Sequence, residues 1–347
     1  MKKLLRYRLF WPLVALLALV VVNTIASPQF IAITVRDGQL YGTPIDILRT
    51  SAPLLLVALG MTVVIATRGI DLSVGAVMAV SGAVALTIID ASPDPGDPAT
   101  VAVAVAAALG VSLALGAWNG LLVSVVGIQP IIATLVLMLA GRGVALLFTE
   151  GFITTVNSAP YSFLATGYLF CLPVAFLLAL VAVFAVSLVE RRTALGLLTE
   201  AVGINPEASR LAGVRARGII FGAYALSAFL AGIAGIIYSA NIRAADANAA
   251  GLFIELYAIL AVVLGGTSLM GGKFSIAGTV VGVLIIQTLD KTILFLGVPP
   301  AQSPVFFAIV VAVVVVIQSP RLHHAVRQLV SARSRRAADP TTAEVAS

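Results

Sequence analysis

Charged residues and cysteine are both scarce in this sequence of 347 residues. Only 10% of the residues are charged and 60% are apolar, whereas soluble domains carry roughly 25% charged residues. The single cysteine, Cys171, excludes a disulfide bond or a thiolate metal site within the chain. The two histidines, at 323 and 324, form no His/Asp/Glu cluster that would indicate catalysis or metal binding. These shortages exclude a soluble enzyme, and we expect no catalytic residues, metal or cofactor.

Long apolar runs are what the sequence has instead. A membrane-spanning helix needs about 20 apolar residues, and the chain has ten candidate runs. They cover residues 9–26, 47–67, 74–89, 100–126, 130–148, 169–189, 216–239, 254–270, 275–296 and 304–318. The last three boundaries are the least distinct, because 254–318 is almost continuously apolar. The pattern predicts an all-α integral membrane protein with about ten transmembrane helices.

The first run follows four basic residues, at positions 2, 3, 6 and 8. A basic start before an apolar stretch resembles a secretory signal peptide. The run is long for such a peptide and many further runs follow it. We therefore interpret it as an uncleaved first helix.

The basic residues indicate an orientation. Cytoplasmic loops of membrane proteins carry an excess of Lys and Arg. With both termini cytoplasmic, 16 of the 21 basic residues fall on that side: four before the first run, five in the loop 190–217, five in the tail, Arg68 and Lys273. The sequence predicts a basic cytoplasmic N-terminus (1–8), a permease domain (9–318) and a basic, partly disordered cytoplasmic tail (319–347). The positive charge therefore predicts topology, not a nucleic-acid partner.

Polar residues interrupt the apolar sequence most clearly between the second and third runs. Gly69 and Gly75 bracket Asp71 and Ser73. One interpretation is a broken helix that lines a pathway or a gate, since such breaks occur at membrane depth only where they are buried or line a cavity. The other is an interfacial turn in which Asp71 caps the next helix and pairs with Arg68. A related pattern recurs 202 residues later, at 271–278, through an internal repeat or by chance.

Three further polar residues interrupt the apolar sequence: Asn119 and Arg142 lie inside runs, and Gln129 directly precedes one. With Gly69, Asp71 and Ser73 they form the predicted set of pathway or gating residues. An unpaired Arg142 in hydrocarbon would be costly. It is therefore either a donor that faces the pathway or a structural residue that reaches the interface or pairs with Glu150 or with an acid on another span.

The loop 190–217 contains a predicted short helix. Asn205 and Pro206 are typical of an N-cap and a first helical position, and Gly213 is typical of a helix end. Ala208 would share one face of this helix with Leu211 and Ala212. Such a helix either inserts into a groove of a partner protein or only connects two spans.

Several motifs of this chain resemble one known family. The motifs are Gly-Ile-Asp-Leu-Ser-Val-Gly at 69–75, Trp-Asn-Gly-Leu at 118–121, Gln-Pro-Ile-Ile-Ala-Thr-Leu at 129–135, Glu-Ala-Val-Gly-Ile-Asn at 200–205 and Gly-Gly-Thr-Ser-Leu-Met-Gly-Gly at 265–272. They resemble the permease subunits of bacterial monosaccharide ABC importers of the ribose, xylose and galactose class. Segments 37–48 and 242–252 most resemble the galactofuranose-type permease.

This resemblance implies a multi-pass permease of the bacterial cytoplasmic (inner) membrane, surrounded by lipid. The implied substrate is galactofuranose or a similar pentose or hexose. The implied partners are cytoplasmic ABC ATPase subunits, a periplasmic or extracellular sugar-binding protein, and a second permease subunit, identical or paralogous. ATP hydrolysis would reside on the ATPase, since this chain has no Gly-rich phosphate-binding loop. The implied ATPase-coupling residues are Glu200, Gly203, Asn205, Ala208, Ala212 and Gly213.

One position departs from the family's pattern, and one other class of transporter stays open. Many members of the family have glycine where this chain has Arg68. The alternative function is an ion-coupled secondary transporter of a small solute. Such a transporter would need carboxylates near broken helices, for which Asp71 and Asp290 are the candidates.

Overall fold

The structure is a computed structural model that describes residues 9–36 and 38–297, with the separate residues 305, 308, 309 and 312. The predicted tenth run, 304–318, and both chain termini therefore lie outside the continuously described residues. The chain divides into two units, Met1–Thr288 and Leu289–Ser347. Residues 289–297 are the continuously described part of the second unit. The features described below therefore belong to the first unit.

The described residues are mostly helical. The helices are α1 (Phe10–Ala26), α2 (Thr43–Ala66), α3 (Val74–Asp90), α4 (Pro98–Leu121), α5 (Pro130–Phe148), α6 (Ala159–Thr166), α7 (Val174–Arg192), α8 (Ala194–Ile204), α9 (Pro206–Leu211), α10 (Ala216–Ile242), α11 (Ile254–Leu264) and α12 (Ile276–Phe295). A π-helical turn, Leu122–Val126, extends α4. Helix α12 begins in the first unit and ends in the second.

Three antiparallel pairs of very short strands join the helices. They are β1 (Thr34–Arg36) with β2 (Gln39–Tyr41), β3 (Thr154–Thr155) with β6 (Ala244–Ala245), and β4 (Tyr168–Leu169) with β5 (Leu172–Pro173). The last pair corrects the predicted run 169–189. Phe170 and Cys171 both have positive φ and turn the chain sharply, so that the helix begins only at Val174.

Among the described residues, six helices are long and apolar enough to cross a membrane: α2, α4 with its π-helical turn, α5, α7, α10 and α12. Helices α1, α3, α8 and α11 are shorter apolar helices. The predicted run 254–270 contains only 11 helical residues. It is short because residues 265–275 form an irregular turn before α12 rather than a continuation of the helix.

Helix α2 forms the centre of the first unit. Every residue from Leu54 to Thr67 is buried, as expected for a helix that is apolar on all sides. Helix α10 packs against α2, α3 and α4. Small residues permit this close approach: Gly60 of α2 lies against Ser227, and Gly235 of α10 lies against Met78 of α3.

The contact between α10 and α3 yields a test with a control in the same helix. In Gly235→Ala the new methyl group would lie 2.8 Å from the Met78 Cα, so we expect a loss of about 1–3 kcal/mol of stability from overpacking. Gly222→Ala, where nothing lies within 4 Å, should stabilise by up to about 1 kcal/mol through helix propensity. Thermal unfolding in detergent measures both, and equal shifts would contradict the close packing.

Candidate functional site

Helix α2 ends in a hydrogen-bonded left-handed turn. Arg68 has φ +65°, a conformation that glycine favours. The Arg68 N–H donates to Ile65 O (2.9 Å) and the Gly69 N–H donates to Val64 O (3.0 Å), which is the Schellman pattern of a helix end. Arg68 thus adopts a backbone conformation that suits glycine.

Asp71 lies in a buried polar cluster with Ser73, Asn119 and Ser227. Its Oδ1 accepts hydrogen bonds from the Ser73 N–H (3.0 Å) and hydroxyl (2.6 Å), and its Oδ2 accepts from the Ser227 hydroxyl (2.9 Å). The Asn119 amide donates to the Ser73 Oγ (2.9 Å). The cluster therefore joins the turn after α2 to helices α4 and α10.

The break between α2 and α3 lies inside the helical bundle, as the position of this cluster along α10 shows. Ser227 is the twelfth of 27 residues in α10, so it lies about 17 Å from the start of the helix. Asp71 is only 1% exposed. Arg68 is not its partner, because the Arg68 Nε donates to Met270 O (3.0 Å). The predicted Asp71–Arg68 pair is therefore wrong, whereas Asp71 does accept from the Ser73 N–H at the start of α3.

Three segments meet at the last carbonyl group of α2, an arrangement named here the Ala66 junction. The Gly272 N–H donates to Ala66 O (2.9 Å). Gly203, near the end of α8, packs so closely that a β-carbon there would overlap the Ala66 oxygen and lie 2.5 Å from the Gly272 nitrogen. The junction therefore connects α8 directly to the turn after α2 and to the turn 265–275.

Helix α9 begins and ends as the sequence predicts. The Asn205 Oδ1 accepts from the backbone N–H groups of Glu207 (3.1 Å) and Ala208 (3.0 Å), which makes it the N-cap. At the other end Gly213 has φ +84° and its N–H donates to Arg210 O (3.0 Å). The predicted cap and helix end are thus confirmed.

One side of α9 is open to solvent. Ser209 is buried, whereas Ala208, Leu211 and Ala212 are exposed, with Leu211 at 78%. Glu207 and Arg210 form an exposed ion pair (2.6 Å), and the hydrogen bond from Arg210 lowers the pKa of Glu207. An exposed pair of this kind contributes little stability, but it places two charged side chains on α9 beside the apolar side chain of Leu211.

A cavity of about 590 Å³ lies behind α9. Its walls come from the end of α7, from α8, from the start of α10 and from the segment Ala212–Arg215. Glu200 is half-buried in α8 near this region. The cavity therefore separates the segment that follows α9 from the start of α10.

The structure separates the other predicted pathway residues. Asn119 joins the Asp71 cluster, and Gly69 lies beside it against the Tyr224 hydroxyl group. Gln129 is exposed at the N-cap of α5 and its side chain makes no capping hydrogen bond. Arg142 lies elsewhere: its Nη1 donates to the carbonyl groups of Ala247 (2.8 Å) and Ala250 (2.5 Å).

Glu255 is a buried carboxylate that sequence reasoning missed. It is 4% exposed, in the first turn of α11. The sequence pattern placed it at the first residues of a membrane span, where an acid looks interfacial. The segment Arg243–Phe253 that precedes it gave the available signal of an irregular chain, since Asp246 and Asn248 interrupt the apolar sequence there.

Comparison with known proteins agrees with this architecture. The family described as branched-chain amino acid transport system, permease component, matches residues 43–316. The chain belongs to this family. It is 49% identical to the galactofuranose transporter permease protein YtfT of Escherichia coli K12, over 90% of this chain and 92% of that protein. No solved structure gives a significant match.

Two further relatives are also sugar permeases. The fructose import permease protein FruF of Bifidobacterium longum NCC 2705 is 46% identical, over 93% of this chain and 91% of that protein. The ribose import permease protein RbsC of Escherichia coli K12 is 37% identical, over 89% and 93%. These similarities support the resemblance to monosaccharide ABC permeases and do not favour the ion-coupled alternative.

The Asp71 cluster yields a second test. In Ser227→Ala the Asp71 Oδ2 loses the hydroxyl donor that the structure gives it, and leaving a buried acceptor unsatisfied costs about 1–3 kcal/mol. Ser112→Ala is the control, because the equally buried Ser112 hydroxyl donates only to Ala108 O of its own helix. Thermal unfolding in detergent should show a clearly larger loss for Ser227→Ala; equal losses would contradict the cluster's role.

Proposed function

We propose that this chain is the permease subunit of a bacterial ABC importer and forms the translocation pathway for a monosaccharide. The observation that carries the proposal is its similarity to three sugar permeases along about nine-tenths of each protein. Galactofuranose is the preferred substrate because its permease is 49% identical. Fructose is the second candidate, at 46%. The family's description as an amino acid system makes leucine the necessary comparison substrate.

The proposed arrangement in the membrane follows the basic residues. Both termini would face the cytoplasm, with about ten spans in the domain 9–318, between the short N-terminus 1–8 and the tail 319–347. Helices α8 and α9, in the loop 190–217, would then lie at the cytoplasmic end. The strand pair β3–β6 would lie at the outer end, because α10 runs from one end to the other. The membrane would be the bacterial inner membrane.

The exposed side of α9 is the proposed docking site for the ATPase. Leu211 offers an apolar anchor and Ala208 and Ala212 leave room around it. A short helix with such a face fits an apolar groove on a partner. The N-cap at Asn205 and the left-handed Gly213 hold this helix at a fixed length, so it can move as a rigid piece.

The Ala66 junction is the proposed route from the ATPase to the pathway. A shift of α8 would press Gly203 against Ala66 and Gly272, which lie at the ends of two irregular turns. One of these turns carries Asp71, and the Asp71 cluster extends to α4 and α10. Movement of the ATPase would thereby alternate the access of the pathway between the two sides. A second permease subunit and an outer sugar-binding protein would complete the importer.

Uptake by reconstituted vesicles tests the function. The vesicles would contain this chain with its second permease and its ATPase, and the sugar-binding protein would be added outside. We expect accumulation of a labelled monosaccharide that requires ATP and persists when ion gradients are collapsed. Accumulation under an ion gradient without ATP, or of leucine in preference to every sugar, would contradict the proposal.

Two variants separate docking from transmission. Leu211→Asp should abolish capture of the ATPase by the permease, because it places a charge in the proposed apolar contact. Gly203→Ala should retain ATPase capture but reduce sugar uptake at least about tenfold, because its methyl group displaces the Gly272–Ala66 hydrogen bond. Co-purification measures the first effect and vesicle uptake the second.

Val35→Asp is the control for capture. Val35 is exposed in the β1–β2 hairpin, far along the sequence from α9, so its change should leave ATPase binding intact. Normal ATPase capture by Leu211→Asp would refute the docking site. Normal uptake by a folded Gly203→Ala variant would refute transmission through the junction.

A further inference from the structure

The chain between α10 and α11 is unwound inside the first unit. After α10 ends at Ile242, the segment Arg243–Phe253 pairs with β3 and then turns back towards α3. Gly251 reaches the backbone of Gly75, the second residue of α3. Because Gly75 is close to the buried Asp71 turn, the segment extends into the interior before α11 begins. Substrate sites of transporters are commonly built around such discontinuous helices.

Polar groups hold this unwound segment in place. Arg142 donates to Ala247 O and Ala250 O. The Asp246 Oδ1 accepts from the N–H groups of Asn248 (2.9 Å) and Ala249 (3.0 Å). Arg142 and Asp246 are therefore largely engaged with backbone, and their geometry is fixed.

Glu255 is the exception among these charged residues. Its side chain has no hydrogen bond or ion pair with a side chain of another described residue. It nevertheless lies at the first turn of α3, where its Oε2 would be 3.0 Å from a β-carbon on Gly75. This buried carboxylate has only its own backbone N–H as a hydrogen-bond donor among the described residues, with the Arg142 charge nearby. A carboxylate buried in this way is costly and is a marker of function in a membrane protein.

An aromatic residue with a strained backbone conformation lies two positions before Glu255 in the sequence. Phe253 has φ +61°, which is unusual for a bulky residue and which clusters at ligand sites. Its side chain is 53% exposed, beside the exposed Leu252 and Leu256. The buried carboxylate is thus next in sequence to an exposed apolar surface.

We propose that Glu255, together with Arg142 and Phe253, forms a subsite that binds the hydroxyl groups of the sugar during translocation. This subsite rests on the proposed function. Glu255 supplies acceptor oxygens for hydroxyl donors, Arg142 supplies N–H donors, and Phe253 supplies an apolar face. A few placed polar groups beside an aromatic side chain are the usual composition of a small-molecule site.

The chemistry favours a neutral polyol over a bound cation. A hard cation takes six or more oxygen ligands, whereas Asp246 is committed to backbone N–H groups and Arg142 contributes positive charge next to Glu255. A sugar hydroxyl can use one carboxylate oxygen and tolerates the neighbouring guanidinium. The arrangement therefore fits a ligand with hydroxyl groups and no net charge.

Uptake of deoxy sugars by the complete importer in vesicles tests the subsite. The probe is whichever of D-galactose, D-fructose and D-ribose the unaltered importer takes up fastest, together with its monodeoxy derivatives. Glu255→Gln should slow uptake of the parent sugar roughly 10- to 100-fold, because a hydrogen bond to a charged acceptor is lost. In the unaltered importer, one deoxy sugar should be taken up more slowly than the parent sugar. In Glu255→Gln, that deoxy sugar and the parent sugar should be taken up at the same rate.

A purely structural role would give a different pattern. Glu255→Gln would then slow all sugars by the same factor, and that result would overturn the subsite. Glu150→Gln, an exposed acid at the end of α5, is the control and should leave uptake unchanged. If the unaltered importer takes up no sugar, the proposed function fails and the subsite fails with it; unaltered uptake by Glu255→Gln overturns the subsite alone.

A second pair of variants guards against misfolding of Glu255→Gln. Phe253→Leu keeps an apolar side chain at an exposed position and should raise the KM for sugar uptake several-fold. Phe152→Leu changes another aromatic residue that is 76% exposed and should have no effect. Identical KM values for the two variants would count against the aromatic face and overturn this part of the subsite.

Discussion

Every backbone N–H and C=O group in an apolar bundle needs a hydrogen-bond partner, and this requirement shapes each irregular segment of the chain. Ala66 O, left free by the end of α2, accepts from Gly272. Asp71 and Ser73 satisfy the start of α3, and Arg142 satisfies two carbonyl groups of the segment before α11. The positions at which helices break are therefore also the positions at which distant segments bind one another. This explains why the candidate functional residues are found there.

These segments are connected directly, because their backbones are in close contact. Gly203 has no side chain between α8 and the Ala66 carbonyl group, and Gly251 has none between the unwound segment and Gly75. Packed interiors transmit displacement because they compress little. A movement of α9 would therefore reach the Asp71 cluster through backbone rather than through flexible side chains.

Features that depend on neighbouring residues could be predicted from the sequence, and contacts between distant residues could not. Asn205, Pro206 and Gly213 define α9 because capping depends on neighbouring residues, and the Gly69–Gly75 pattern indicates the break after α2. The burial of Glu255 against Gly75 and the partners of Arg142 could not be predicted, because these contacts join residues more than 100 positions apart. The hairpin at 168–173 was also missed, since two non-glycine residues adopt positive φ there. Apolar periodicity alone does not distinguish a buried helix from a buried irregular segment.

The most direct test of transmission through the Ala66 junction is hydrogen–deuterium exchange of the permease bound to its ATPase, measured with and without ATP. If α8 acts on both turns through Ala66 and Gly272, ATP should change the exchange rates of residues 67–73 and 265–275 together with those of 200–214. A change confined to 200–214, with both turns unaltered, would contradict the account.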